Sequence, residues 1–218
     1  MLKNSLTQIK FVNRINYLKE LCRGKKVLHL GATDSPMTKE AIQKGDFLHL
    51  HLDEVSEYLI GLDLDFSMIQ WLSDNQEINN IKHGNIEKPE NYPSTDFDIV
   101  IAGEIFEHLS NPGKALDCIR STIKSSSVLV ITVPNAYSIK GFLRAVIKHE
   151  LIHPDHTLHH SPHTLKTLLE RHGFSVNTYF SYVNGGSGII ASITNQFIRF
   201  NSQLAEGIGV ICTPKEVN

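Results

Sequence analysis

The stretch Lys26-Val27-Leu28-His29-Leu30-Gly31-Ala32-Thr33-Asp34-Ser35-Pro36 is an apolar run that stops at a glycine and is followed by residues typical of a helix start. The run up to Leu30 predicts a buried strand, and Ser35-Pro36 predicts an N-cap followed by proline at the first helical position. Gly31 lets the backbone approach a ligand where a Cβ would collide. A strand, a glycine turn and a helix start together indicate a cradle for a nucleotide-type ligand.

The glycine pattern of this turn argues against a ligand that carries phosphate. The turn lacks the second and third glycines of G-x-G-x-x-G, which allow a pyrophosphate to lie against the backbone. Asp34 also places a negative charge where a pyrophosphate requires positive potential. The cradle therefore suits an adenosyl ligand without phosphate better than NAD or ATP, and a turn with no ligand is an equally good interpretation of this segment alone.

Composition predicts a single α/β globular domain over residues 1–218. The chain is 41% hydrophobic and 20% charged, its net charge is -2 and its pI is near 6.6, so no basic excess favours nucleic acid as a partner. The three cysteines are far apart and form no Cys-x-x-Cys pair, which favours a reduced, cytoplasmic compartment. No signal peptide or membrane span is expected, so we predict no membrane partner. Oligomeric state is left open, with a homodimer as one alternative.

Strands alternate with helices along the chain, which predicts βαβ crossovers and a doubly wound, mostly parallel sheet with helices on both faces. Residues 1–24 are expected to form an N-terminal helical cap, and residues 47–58 fit a strand or a helix equally well. Two late strands, at 174–183 and 207–212, flank a helix at 190–200 and suggest an antiparallel edge strand. The different pattern of residues 135–162 marks an insertion on the substrate side.

Polar residues follow several of the predicted strands. Asp63 ends the second strand, with Leu64 after it, and a carboxylate at that edge accepts hydrogen bonds from both hydroxyls of a ribose. Asp63 and Asp65 are alternatively residues that cap the next helix. Asn85 offers an amide to an adenine edge, or is an ordinary turn asparagine.

The apolar run Phe97-Asp98-Ile99-Val100-Ile101-Ala102 predicts a central strand buried on both faces. It delivers Gly103 to His108 to the carboxyl edge of the sheet, where open α/β sheets bind ligands. Glu107 and His108 are therefore candidates for contact with a substrate, or a solvated pair at a helix start.

These segments, taken in order, resemble the class I S-adenosylmethionine-dependent methyltransferases, in the branch that acts on small molecules. The resemblance is carried by Val27 to Gly31, Gly61-Leu62-Asp63, Gly84-Asn85-Ile86-Glu87, Phe97 to Val100 with Glu104 to Leu109, and the stretch from His159 to Phe174. It implies a Rossmann-like, seven-stranded sheet with the last strand antiparallel, and S-adenosylmethionine as the cofactor. It also implies a cofactor site made by Gly31, Thr33, Asp63, Leu64, Asn85, Ile86, Ala102 and Glu104. His29 replaces the usual aspartate, and Thr33 and Ser35 replace the usual glycines.

Five of the twelve histidines fall between His153 and His163. An alcohol that accepts a methyl group must lose its proton, and histidine is the side chain best suited to take it near neutral pH. We therefore predict His153 or His156 as the catalytic base, with Asp155 orienting one imidazole, and the alternative is a solvated polar loop. His108, His159 and His160 are predicted to contact the substrate.

The same segment offers ligands for a metal, since His153, His156, His159, His160 and Asp155 all carry suitable atoms. However, His-x-x-His in a loop lacks the i, i+4 register of a helical zinc motif, and no cysteine is nearby. The prediction is therefore a site without metal.

The leading hypothesis is O-methylation of a small hydroxylated acceptor, such as a sugar or a sugar-containing metabolite. The alternative is a non-catalytic binding or scaffold module that keeps the fold, which the depleted glycine turn would favour. A nicotinamide dehydrogenase is disfavoured by the missing phosphate glycines.

Overall fold

The computed structural model describes residues 9–93, 96–184 and 189–215, and of residues 189–193 only the backbone. The strands are β1 (Lys10–Phe11), β2 (Lys26–Leu30), β3 (Tyr58–Asp63), β4 (Ile81–His83), β5 (Ile99–Gly103), β6 (Val128–Pro134), β7 (Phe174–Tyr182) and β8 (Gly207–Pro214). The helices are α1 (Arg14–Cys22), α2 (Thr38–Lys44), α3 (Leu48–Asp53), α4 (Phe66–Gln76), α5 (Pro112–Thr122), α6 (Ile139–Val146), α7 (Pro162–Arg171) and α8 (Ile189–Phe200). Short 3₁₀ turns occupy Pro89–Asn91, Phe106–His108 and Ser202–Leu204.

The strands form one sheet in the order β1-β7-β8-β6-β5-β2-β3-β4. Strand β2 pairs in parallel with β3 on one side and with β5 on the other. The chain therefore winds outward in opposite directions from β2, through β3 and β4 on one side and β5 and β6 on the other. In open sheets of this kind the crevice beyond the carboxyl ends of the diverging strands is where ligands bind.

The central strands are buried on both faces, as their apolar sequences predict. Val100, Ile101 and Ala102 of β5 are fully buried, and alternate residues of the strand belong to core clusters on opposite sides of the sheet. The two faces are covered by helices because a parallel sheet cannot leave either face to solvent. Among the described residues, no helix combines the length and the apolar character needed to cross a bilayer.

The α/β class, the mostly parallel sheet and the flanking helices are confirmed, with two differences in detail. The sheet has eight strands rather than seven, because the two residues of β1 pair in parallel with β7. Two residues are too short to show a hydrophobic period, so no sequence pattern indicates this strand. The antiparallel strand β8 lies between β6 and β7 instead of at the outermost edge.

Two local predictions were also different. Helix α2 begins at Thr38, with Met37 at its N-cap and no side-chain cap, so Ser35 and Pro36 belong to the preceding turn. In the ambiguous segment 47–58, residues 48–53 are helical and Tyr58 begins β3.

The helix in that segment is explained by burial at a spacing of four residues. Leu48 and Leu52 are buried, whereas Leu50 is 36% exposed. The alternation of leucines in the sequence therefore does not indicate a strand: Leu48 and Leu52 lie on the buried face of a helix, and Leu50 lies on its exposed side. Of the predicted cap over residues 1–24, α1 is observed, and residues 1–8 lie outside the described part of the chain.

Candidate active site

The turn after β2 joins the ends of two neighbouring strands into a cradle. Gly31 has φ +73°, and a Cβ at this position would lie 3.1 Å from the Ile105 side chain. Its amide donates to the Leu62 carbonyl at 2.9 Å, which ties the turn to the end of β3. The amide of Thr33 donates to Oδ2 of Asp63 at 2.9 Å, so the turn holds this carboxylate beside the glycine.

Of the two candidate ribose carboxylates, Asp63 has more free hydrogen-bonding capacity than Asp65, whose Oδ1 already accepts two hydrogen bonds. Asp65 is the N-cap of α4, and it accepts from the Met68 amide and from the hydroxyls of Ser67 and Ser35 at 2.6 to 3.0 Å. These hydrogen bonds lower the pKa of Asp65, first through Ser67 and then through Ser35. Asp63 accepts one backbone amide on each oxygen, which leaves a further lone pair on each oxygen for a ligand.

Beside Glu104, which the sequence predicted as a site residue, lie two side chains that the sequence patterns did not single out, Arg14 and Tyr182. The hydroxyl of Tyr182 donates to Oε1 of Glu104. The Arg14 guanidinium lies 5.6 Å from the centroid of the Tyr182 ring and so close to Gly103 that a Cβ there would be 2.8 Å from a terminal nitrogen. Burial lowers the pKa of Arg14, but the attraction of Glu104, Tyr182, Asp34 and Glu107 outweighs it and leaves that pKa raised.

Two cleft residues other than glycine adopt left-handed backbone conformations. Asp34 has φ +57° and Glu104 has φ +54°. Such conformations cost on the order of 1–3 kcal/mol each and concentrate at functional sites. Two of the carboxylates that line the cleft therefore belong to residues with a strained backbone.

The cleft is acidic and large. It has a volume of about 1050 Å³. Two of its lining residues are lysine or arginine, Arg14 and Lys44, whereas eight are acidic: Asp34, Glu40, Asp46, Asp63, Asp65, Glu104, Glu107 and Asp155. Burial raises the pKa of Asp34, and burial followed by repulsion from Glu104 raises the pKa of Glu107 to about 9. Pockets for small ligands are roughly 300–1,000 Å³, so this cleft lies at the upper end of that range. Its charge favours a ligand that carries positive charge.

A histidine group also lines this cleft. It consists of His108, His153 and His156, each partly buried, with ring nitrogens that lie within 4.8 Å of one another. Burial, followed by repulsion from the neighbouring imidazoles, lowers the pKa of His108 and of His156. Nε2 of His156 lies 3.9 Å from Oε1 of Glu107, and the Asp155 amide donates to Nδ1 of His153 at 3.3 Å.

The histidine loop is fixed to the 3₁₀ turn by backbone hydrogen bonds. The amides of Thr157 and Leu158 both donate to the Glu107 carbonyl, at 2.9 and 3.3 Å. The Thr157 hydroxyl donates to the same carbonyl at 3.2 Å. The positions of His153 and His156 relative to His108 are therefore set by the fold.

The structure places the other predicted site residues in three kinds of environment. Leu64 lines the cleft with Gly31, Thr33, Asp63 and Glu104. Ile86 and Ala102 are buried in the main core cluster, and Asn85 accepts from the Glu87 amide at 2.8 Å in a turn. These three do not line the cleft, and their roles at the cofactor stay predictions.

His159 and His160 are separated from the other histidines. His159 is exposed and lines a second cavity of about 840 Å³ beside α6. His160 is 6% exposed and its carbonyl accepts from the Ala136 amide at 2.9 Å. Neither residue lines the cleft that contains Gly31 and Asp63, so a contact with a substrate in that cleft stays a prediction.

Comparison with known proteins agrees with this architecture. A family model described as a methyltransferase domain matches residues 10–179. The chain belongs to the methyltransferase domain family. The resemblance to class I methyltransferases drawn from the sequence motifs is thereby confirmed. A search of curated proteins found no match to this methyltransferase.

Solved structures share the fold at low sequence identity. A SAM-dependent methyltransferase from Archaeoglobus fulgidus is 20% identical with a TM-score of 0.57, and the match covers 91% of this chain and 90% of that one. Magnesium protoporphyrin IX methyltransferase from Synechocystis, solved with bound SAH, is 11% identical with a TM-score of 0.59, covering 93% and 82%. A SAM-dependent methyltransferase from Mesorhizobium loti is 14% identical with a TM-score of 0.56, covering 92% and 95%.

Proposed function

We propose that this methyltransferase uses S-adenosylmethionine to methylate a hydroxyl oxygen of a small acceptor, such as a sugar or a sugar-containing metabolite. The observation that carries the proposal is the Asp63 carboxylate, held beside the Gly31 turn at the open edge of the sheet with a lone pair free on each oxygen. The resemblance of this strand end to the family motif and the names of the structural neighbours support it.

The lining of the cleft fits this cofactor. S-adenosylmethionine supplies an electrophilic methyl group on a sulfonium, and its amino acid end carries one ammonium and one carboxylate. Asp63 is proposed to accept hydrogen bonds from the ribose hydroxyls. Asp34 and Glu104 provide negative charge for the ammonium, and the Arg14 guanidinium provides the matching cation for the carboxylate. The excess of carboxylates favours a ligand with net positive charge and disfavours a pyrophosphate.

The histidine group forms the acceptor side of the proposed site. His153 and His156 line the same cleft as Gly31 and Asp63, which is where an acceptor hydroxyl must lie to meet the methyl group. Transfer of a methyl group is an in-line displacement, so holding the acceptor in one orientation supplies much of the rate. We propose that this group orients the hydroxyl and promotes loss of its proton, with His153 or His156 as the predicted base.

Calorimetry with S-adenosylmethionine and S-adenosylhomocysteine tests the cofactor site. We expect both to bind, and Asp63→Asn to weaken binding by about 10-fold or more, or about 1.4 kcal/mol, because the ribose loses a charged acceptor. Asp74→Asn is the matched control, since Asp74 is exposed on α4 and bonds only Gln70 among the described residues. If neither S-adenosylmethionine nor S-adenosylhomocysteine produced a binding heat, a scaffold module without catalytic activity would be favoured instead.

A screen of hydroxylated metabolites for release of S-adenosylhomocysteine tests the acceptor class. We expect turnover with a small polyol or sugar, and product analysis to place the new methyl group on oxygen. Methylation of a nitrogen or sulfur atom, with no activity on any hydroxyl, would contradict the proposed acceptor.

A further inference from the structure

The three histidines that line the cleft come from two separate elements. His108 ends the 3₁₀ turn after β5, whereas His153 and His156 come from the loop before α7. Their ring centroids lie 4.5 Å (His108 to His156), 5.3 Å (His108 to His153) and 5.5 Å (His153 to His156) apart. A single general base requires one imidazole, which leaves the other two imidazoles of the group without a role in proton transfer.

We propose that His108, His153 and His156 bind a divalent transition-metal ion, such as Zn²⁺, at the acceptor side of the cleft. Zinc sites that act on a substrate use three protein ligands and keep one position open. Imidazole nitrogens lie 2.0–2.1 Å from zinc, so ligand nitrogens in a tetrahedral site are about 3.4 Å apart. The three rings, with nitrogens within 4.8 Å of one another, need only small side-chain rotations to reach that spacing.

A buried carboxylate beside the histidines supports a cation at this place. Glu107 is 1% exposed, and neither of its carboxylate oxygens has a hydrogen-bond partner among the described residues. Its Oε1 lies 3.9 Å from Nε2 of His156, on the side of the group that faces the protein interior. A carboxylate buried without hydrogen bonds is costly unless a charge compensates it, and a dication held by the three imidazoles supplies that charge.

The ligand type indicates the class of metal. Three imidazoles favour zinc, iron, nickel or copper over Mg²⁺ and Ca²⁺, which prefer six or more oxygen ligands. The loop that carries two of the ligands is already fixed by the bonds from Thr157 and Leu158 to Glu107, so little ordering is required on binding.

The metal deepens the proposed function, on which this role rests, by giving the acceptor hydroxyl a ligand position. A metal-bound hydroxyl loses its proton to solvent more easily, because the cation stabilises the oxyanion. A lone pair of that oxygen forms the new bond to the methyl carbon, the carbon–sulfur bond breaks, and its electron pair stays on sulfur. With the ion bound, His153 and His156 would be ligands instead of the base, and the cation would lower the hydroxyl pKa in their place.

Titration of the chelator-treated full chain with Zn²⁺ tests the site directly, and Co²⁺ gives an absorption spectrum that reports coordination by nitrogen. We expect one ion per chain. His153→Ala and His156→Ala should each weaken binding by about 10-fold or more, as loss of a ligand does. His163→Ala should bind like the parent, because His163 is exposed on α7 and outside the group. Thermal unfolding of each variant identifies any that fails to fold. His153→Ala is the less disruptive of the two, because the His153 side chain is 26% exposed and that of His156 is 14% exposed.

The outcomes separate this inference from the proposed function. Absence of saturable zinc binding, or equal binding by all variants, would overturn the metal site even if S-adenosylhomocysteine binds and methyl transfer occurs. Zinc binding without any binding of S-adenosylhomocysteine would sustain the site and overturn the proposed function. Full turnover in the metal-free enzyme would overturn activation by metal and return the histidines to direct proton transfer.

Discussion

At the scale of single residues, Arg14 is a cation that lines the cleft among several carboxylates. It is partly buried, packed against the Tyr182 ring and Gly103, and its charge acts on Glu104 and Asp34. A partly buried cation among carboxylates both stabilises them as anions and offers a forked donor to a ligand carboxylate. We therefore expect Arg14 to link the N-terminal helix α1 to cofactor binding.

Replacing Arg14 by glutamine should weaken the binding of S-adenosylmethionine by about 10- to 100-fold, because a charge-assisted contact is lost and the carboxylates around it lose their counter-ion. Calorimetry measures the change. Arg23→Gln is the matched control, since Arg23 is exposed and paired only with Glu20 among the described residues. Equal affinities for the two variants would remove Arg14 from the cofactor site.

At the scale of elements, two glycines of β8 make room for two aromatic side chains of β7. A Cβ at Gly207 would lie 2.2 Å from the Tyr182 ring, and a Cβ at Gly209 would lie 2.1 Å from the Phe180 ring. Both rings are fully buried, so neither can move without disturbing the packing around it. The pairing of β7 with β8 thus fixes the tyrosine whose hydroxyl donates to Glu104.

Gly207→Ala and Gly209→Ala form a matched pair of variants. Both should destabilise the fold by about 1–3 kcal/mol through overpacking, as measured by urea unfolding. Only Gly207→Ala should also lower kcat/KM at temperatures where both variants are folded, because it displaces Tyr182 and with it Glu104. Equal losses of kcat/KM would show that the effect comes from general loosening of the sheet.

The elements differ in how far sequence alone predicts them. Strands such as β5 and β6 were predictable because burial on both faces produces continuous apolar runs. Strand β1 was not, because two residues carry no period. Ser35-Pro36 imitates a helix start, although both residues lie in the turn before Thr38.

At the scale of the whole molecule, a pair of buried histidines couples stability to pH. Nδ1 of His29 on β2 lies 3.2 Å from Nδ1 of His49 on α3, and Nε2 of His49 lies 3.0 Å from Oδ1 of Asn80. Burial lowers the pKa of both, with His49 and Arg14 lowering that of His29 further, and the amide of Asn80 and the charge of Asp53 partly opposing the shift of His49. The folded state therefore holds these imidazoles neutral.

Stability should consequently fall as the pH drops below about 6.5, the ordinary histidine pKa in the unfolded chain. Below that pH the unfolded chain binds more protons than the folded one, so the free energy of unfolding decreases by about 1–3 kcal/mol for each pH unit that the pH falls. The stability that depends on neutral histidines is therefore fully present only above about pH 6.5. Urea unfolding between pH 5.5 and 7.5 measures this slope. His29→Gln should reduce the slope and His163→Gln should not; an unchanged slope in His29→Gln would place the acid sensitivity elsewhere.

The candidate site also shows which long-range relationships sequence patterns miss. Asp63 was predictable because it ends a strand beside a glycine turn. Arg14 and Tyr182 were not, because they lie 168 residues apart in the chain and meet only through the pairing of β1 with β7. Likewise, spacing within the histidine-rich loop grouped His159 and His160 with His153, whereas the fold selects His108 from another element instead.

The double use of the Glu107 carbonyl by Thr157 and Leu158 has a consequence for engineering. Replacing the 153–158 loop of this chain by that of another methyltransferase would require the 104–109 segment to be replaced with it, because hydrogen bonds join the two segments. In a chimera that received only the later segment, the loop amides would donate to the carbonyl of a turn from a different protein. The new side chains of the loop would then be positioned incorrectly.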